Sequence, residues 1–131
     1  DAFALMVERG AHLHAFPVEN WFDCGVIESL LETNRHLLGR LGPAKSRDGV
    51  ILIPPVYIAE SACVENSVVG PHVSVGEHAR INNSIINDSI IGAGAQVAGC
   101  YLHKSLIGDN AVVEAGARQL NVGDSSEVKL Y

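Results

Sequence analysis

A chain of 131 residues is enough for about one domain. Its net charge is −6, and its nine Lys and Arg are scattered. That balance argues against nucleic acid or an acidic membrane surface as partner. No apolar run approaches the roughly 20 residues of a membrane span, and no signal peptide is visible.

Residues 1–9, DAFALMVER, predict a helix, with Ala2 and Met6, and Phe3 and Val7, sharing a side at i,i+4 spacing. Gly10 suits the left-handed position that closes a helix. Residues 11–18, AHLHAFPV, predict a strand with His12 and His14 on one face. Two histidines without a third ligand fall short of a zinc site, so a solvated face is expected there. The motif WFDCG at 21–25 precedes a helix from about Val26 to Leu38. Its apolar stripe is Ile27, Leu30, Leu31, Leu38 and, just beyond, Leu41, with Asn34 a polar gap; Gly39 and Gly42 end it. Residues 42–50 read as a polar linker, after a first unit at 1–41. Pro54-Pro55 excludes helix from 51–57, ILIPPVY, which leads into the next unit.

From Ile58 to Val113 one pattern takes over. Eleven aliphatic anchors, from Ile58, Val64, Val69 and Val75 to Leu102, Ile107 and Val113, recur at spacings of five and six. A short fixed period marks a solenoid. The residue two places before an anchor lies on the same side of an extended strand. After Ile58 these positions are Ala62, Ser67, Val73, Ala79, Ser84, Ser89, Ala95, Cys100, Ser105 and Ala111, all but Val73 being Ala, Ser or Cys. Gly70, Gly76, Asn82, Asn87, Gly92 and Gly108 follow anchors, and such residues tolerate the left-handed backbone of a sharp corner. The pattern predicts a parallel β-helix over 51–131, three short strands per coil. Repeats at Ile58, Val75, Ile91 and Ile107 give three full coils and the start of a fourth. Leu120, Val122 and Val128 could extend it.

Residues just before the anchors point outward. They form columns Val68, Ile85, Tyr101 on one face and Ser74, Ile90, Leu106 on the next, with Cys63, Arg80, Gln96, Val112 on the third. Two of these columns are largely apolar on the outside, which predicts that one packs against another subunit or another domain.

The solenoid resembles the hexapeptide-repeat, left-handed β-helix; the left hand comes from that resemblance. The order FPVENWFDCGVIESLLETNRHLL, then IPPVYI, then coils, then LNVGDSSEV resembles the C-terminal part of sugar-1-phosphate nucleotidyltransferases. The nearest likeness is to long-form glucose-1-phosphate thymidylyltransferases. The resemblance implies that a nucleoside triphosphate and a sugar 1-phosphate combine to a nucleotide-sugar and pyrophosphate, with Mg²⁺ bound in part by the Asp of the W-x-D-x-G motif, here Asp23. Without the resemblance, Asp23 reads as a turn or capping carboxylate before the helix. Trp21 and Gly25 read as packing and turn residues. Where the family commonly has Thr or Ser after the motif glycine, this chain has Val26, which weakens any hydroxyl role there.

The family's Gly-rich triphosphate loop, its other Mg²⁺ carboxylate and its base-reading residues do not occur in this sequence. With no initial Met, the chain is expected to be part of a longer polypeptide and inactive alone. A homo-oligomer in the cytoplasm is expected. Cys24, Cys63 and Cys100, odd in number and without a CxxC, fit reduced thiols. The rival reading of the solenoid is an acyl-CoA-dependent acyltransferase with a His base, or a purely structural module. His72, His78 and His103 lie at or near corners, but His72 and His103 stand two coils apart, roughly 10 Å. That is too far to share a metal. Exposed corner histidines are the expectation.

Overall fold

A computed structural model describes residues 1–115, and the expected extension through Leu120, Val122 and Val128 lies outside them. Twelve short strands form three four-stranded parallel sheets, the three faces of a triangular coil. The first face is β1 (Val50–Leu52), β4 (Ser67–Val69), β7 (Ile85–Asn87) and β10 (Tyr101–His103). The second is β2 (Val56–Ile58), β5 (Val73–Val75), β8 (Ser89–Ile91) and β11 (Leu106–Ile107). The third is β3 (Cys63–Glu65), β6 (Arg80–Asn82), β9 (Gln96–Ala98) and β12 (Val112–Glu114). This is the parallel β-helix that the repeat predicts, in keeping with the left-handed, hexapeptide kind that the resemblance implies.

The register explains the repeat. Anchor stacks on anchor: Val75 pairs with Ile91, and Ile81 with Val97. Val69, Val75, Ile81, Ile86, Ile91 and Val97 are all buried, and Ala62, Ala79 and Ala95 fill the narrow corners between them. Each large aliphatic so buried contributes roughly 1.5–3 kcal/mol. The solenoid starts earlier than the repeat suggests. Residues 51–57 do not merely lead in: β1 and β2 pair with β4 and β5, so the first coil opens at Val50 and four coils stack.

The small inward serines do more than fill space. Ser67 Oγ donates to the Glu65 carbonyl at 2.6 Å and accepts from the Ser84 amide of the next coil at 3.1 Å. Ser84 repeats this between the Asn82 carbonyl and the Cys100 amide, and Ser89 between Asn87 and Ser105. Each hydroxyl gives an amide of the next coil an acceptor that the corner backbone does not supply.

The corners differ from expectation. Of the glycines and asparagines directly after anchors, only Gly70 has positive φ, +115°. The left-handed residues sit one or more places further on, stacked by corner: Gly49, Asn66, Asn83 and Gly99 at one, His78, Gly94 and Asn110 at another. Gly76 and Gly92 are required for closeness instead. A Cβ on Gly76 would stand 2.7 Å from the Ala93 amide nitrogen of the coil beside it. At the remaining corner the loop shortens along the stack. It runs Ile53-Pro54-Pro55 and Gly70-Pro71-His72 in the first two coils, but is Asp88 alone in the third.

Ahead of the solenoid, Ala44 packs on its core, and Arg47 donates to the carbonyls of Ala59 at 3.0 Å and Ala62 at 2.8 Å. The polar stretch 42–49 thus covers the first coil. Helix α1 (Ala2–Glu8) is capped by Asp1 and followed by Gly10 at φ +85°, as its sequence predicts, but buries no residue. The strand expected over 11–18 is absent: Leu13, Phe16 and Val18 are exposed and the backbone is irregular. A strand needs a neighbour to pair with, and among the described residues every other strand belongs to the coils. Helix α2 (Ile27–Leu38) buries Leu31 and Leu38 and packs on β5 and β8 of the second face. No described helix is long and apolar enough to cross a membrane.

Candidate functional site

Asp23 lies in an exposed loop, where its Oδ1 accepts the Gly25 amide at 3.0 Å. A Cβ at Gly25 would stand 3.1 Å from the same oxygen, a tight contact that glycine avoids. Asp23 does not cap α2. The capping position is Val26, which has no side-chain bond to the helix. The second carboxylate oxygen, Oδ2, makes no hydrogen bond or ion pair among the described residues. An exposed carboxylate with one oxygen steadied and one open fits a single Mg²⁺ ligand. Mg²⁺ characteristically takes one or two carboxylates, substrate phosphates and water. Among the described residues no three His, Cys, Asp or Glu side chains converge, so Asp23 would be one contributor and not a complete site.

The loop is tied to α2 by two contacts. The rings of Phe22 and His36 lie 4.8 Å apart, and Cys24 Sγ is 3.6 Å from Thr33 Oγ1. His36 Nε2 is buried with no hydrogen-bond partner, so it is ring contact that joins His36 to Phe22. Trp21, expected to pack, is 77% exposed.

The opposite side of α2 grips the solenoid. Arg35 donates Nε to Asp88 Oδ1 at 2.6 Å and Nη2 to Oδ2, a bidentate pair. Hydrogen bonding from Arg35 holds the Asp88 carboxyl below its ordinary range, with His72 and His103 adding weaker favourable charge. The same bond raises Arg35. Asn34 Nδ2 reaches the His72 carbonyl at 3.4 Å, and the Ser74 hydroxyl donates to Asn34 Oδ1. The polar gap in the α2 stripe is therefore its docking contact, a role the pattern alone does not reveal.

Of the three histidines expected to be exposed at corners, His78 and His103 are exposed, the latter as the last residue of β10, and His72 is half-buried. His72 and His78 are left-handed corner residues, φ +61° and +58°, and His103 Nδ1 bonds Asn87 Oδ1. His12 and His14 are exposed in the irregular segment. Cys24 and Cys63 are exposed free thiols, and Cys100 is buried. A cavity of about 310 Å³ lies between stretch 41–47 and the first coil, lined by Leu41, Leu52, Val56 and Tyr57 with Lys45, Arg47 and Glu60. Its charged groups are already engaged: Lys45 bonds Glu60 at 2.9 Å and Arg47 bonds the coil carbonyls. Of the two outward apolar columns, α2 lies on the second face. The first, Ile51, Val68, Ile85 and Tyr101, stays open, with Tyr101 69% exposed.

Residues 44–89 match the family model for the GlmU-like C-terminal hexapeptide. The glucose-1-phosphate thymidylyltransferase of Streptomyces antibioticus is 29% identical over 120 residues, covering 89% of this chain and 30% of that protein. Glucose-1-phosphate adenylyltransferases of Bacillus thuringiensis and Bacillus mycoides are each 28% identical over 135 residues, covering 88% of this chain and 36% of theirs. The chain thus spans about a third of the length of these relatives. Its described residues form a parallel β-helix, and the proteins it is similar to are glucose-1-phosphate thymidylyl- and adenylyltransferases.

Proposed function

We propose that this chain is the C-terminal region of a cytoplasmic sugar-1-phosphate nucleotidyltransferase. The reaction joins a nucleoside triphosphate to a sugar 1-phosphate, with dTTP and glucose 1-phosphate the substrates we favour. The observation that carries this reading is the bare apolar surface of residues 1–26 beside a solenoid that buries its inward side chains. Phe16 is 82% exposed, and Phe3, Leu13, Val18 and Trp21 are exposed with it. Such a segment belongs against a core that residues 27–115 do not supply. The relatives' extra length supports a catalytic domain as that core.

In this reading Asp23 offers its open oxygen to Mg²⁺, and Gly25 holds the other oxygen in place. Mg²⁺ would neutralise charge developing on the phosphate oxygens. The rest of the triphosphate site lies on the missing domain, so the fragment alone is inactive. The open first face, with its ladder Ile51, Val68, Ile85 and Tyr101, serves assembly between copies of the enzyme. Ile85→Arg in the full-length protein is expected to lower the oligomer mass in sedimentation without unfolding the coil.

The deciding experiment is pyrophosphate release by the full-length polypeptide with glucose 1-phosphate and each nucleoside triphosphate, with Asp23→Ala alongside. Release with dTTP that falls at least a hundredfold in the variant supports reaction and metal role together. Release that survives returns Asp23 to its turn. No release with any nucleotide overturns the reading.

A further inference from the structure

Three successive residues of α2 face two ways. Asn34 and Arg35 hold the solenoid through Ser74, His72 and Asp88, while His36 holds Phe22, the neighbour of Asp23. We infer that Arg35 and Asp88 are positioning residues for the Asp23 loop, with one turn of α2 carrying the solenoid's placement to that carboxylate.

Several observations converge. The Arg35–Asp88 pair is bidentate, which fixes direction as well as distance. Asp88 is itself immobilised. It is buried, it is the entire corner between β7 and β8 at φ +47°, and its amide donates to the Pro71 carbonyl at 2.8 Å. Asn34 makes a second bond to a neighbouring corner, so the helix can neither rotate nor slide without breaking one of the two. On the loop side the link is the tilted ring contact of Phe22 with His36, supported by the Cys24–Thr33 contact. Both of these contacts of the WFDCG loop end on α2. The loop's orientation is therefore set through α2, and that of α2 through Asp88. The metal-related consequence rests on the nucleotidyltransferase reading; the mechanical coupling does not.

The test has two arms. In this chain, Asp88→Asn keeps the size of the corner residue and its tolerance of left-handed backbone. Amide exchange and ring contacts are followed by NMR. The expectation is roughly tenfold faster exchange across α2, the scale of one charge-assisted bond in a part-exposed pair. The Phe22–His36 cross-peaks should weaken while β5 and β8 amides stay unchanged. Arg35→Gln should reproduce the effect. Unchanged cross-peaks in both variants, or loosening of the whole solenoid, would overturn the coupling. In the full-length protein, Asp88→Asn should raise the Mg²⁺ concentration for half-maximal pyrophosphate release severalfold. An unshifted Mg²⁺ requirement overturns the positioning role. A parent that releases no pyrophosphate with any nucleotide overturns the underlying reaction, and the NMR arm still decides the coupling.

Discussion

Residues 1–26 and residues 50–114 are both rich in apolar side chains, yet they treat them in opposite ways. In the solenoid every coil covers the side chains of the last, so Val69, Val73 and Ile86 have no exposed surface. In the leading segment Phe3, Phe16 and Trp21 lie open. Apolar content is thus no guide to a core; repetition at a spacing that aligns side chains is. The solenoid needs only its own neighbours, whereas α1 and the stretch after it need a surface from elsewhere.

Five substitutions would break or sharpen this contrast. The largest effect is expected at Gly70, whose φ is +115° and whose added Cβ would stand 1.9 Å from the Ile53 carbonyl oxygen. Gly70→Ala should cost about 4 kcal/mol, combining strain and clash, read from urea unfolding of the β-sheet signal. Ile86→Ala should cost about 3 kcal/mol by the same measurement, and Phe16→Ala under about 0.5 kcal/mol. If the two proved alike, residues 1–26 would be packed after all. Ser84→Ala strips the buried Cys100 amide of its acceptor and should cost about 1–2 kcal/mol, whereas Ser46→Ala in the exposed stretch should cost nothing measurable.

A smaller effect than those of the core substitutions is the pH response of the α2 contact. The folded Asp88 carboxyl titrates below its unfolded counterpart, near pH 3.9. The bond to Arg35 is therefore fully stabilising above that unfolded value and is lost as pH falls below it, through the lower folded value. Arg35 is 39% exposed, so the contribution is about 1 kcal/mol. Helical signal should fall with acid before the β signal does, and Asp88→Asn should flatten that early phase.

Much of the coil was legible because burial there follows a rule of two: anchor in, neighbour out, small residue in. Every anchor from Val64 to Val97 is buried as its position predicts. The corners were less legible. Left-handed backbone falls on Asn66, His72, His78 and Asp88, whose side chains only tolerate it. The glycines that catch the eye, Gly76 and Gly92, serve close approach. The strand expected at 11–18 failed because strand propensity without a pairing partner gives no ladder. At the candidate site, the motif pointed to Asp23 and its turn glycine, and the helix after it was visible in the stripe. The Arg35–Asp88 and Asn34–Ser74 contacts were not, since they join residues 53 and 40 positions apart with no shared pattern.

The shortened corner at Asp88 has a wider meaning. A perfectly regular coil is a staircase of identical steps, on which a docking helix finds several equivalent seats one step apart. Loss of two corner residues makes one landing unlike those before it, and the carboxylate set there gives a guanidinium a single address. Irregularity in a repeat can therefore carry positional information that the repeat itself lacks. Inserting a two-residue corner at position 88 would restore the ambiguity.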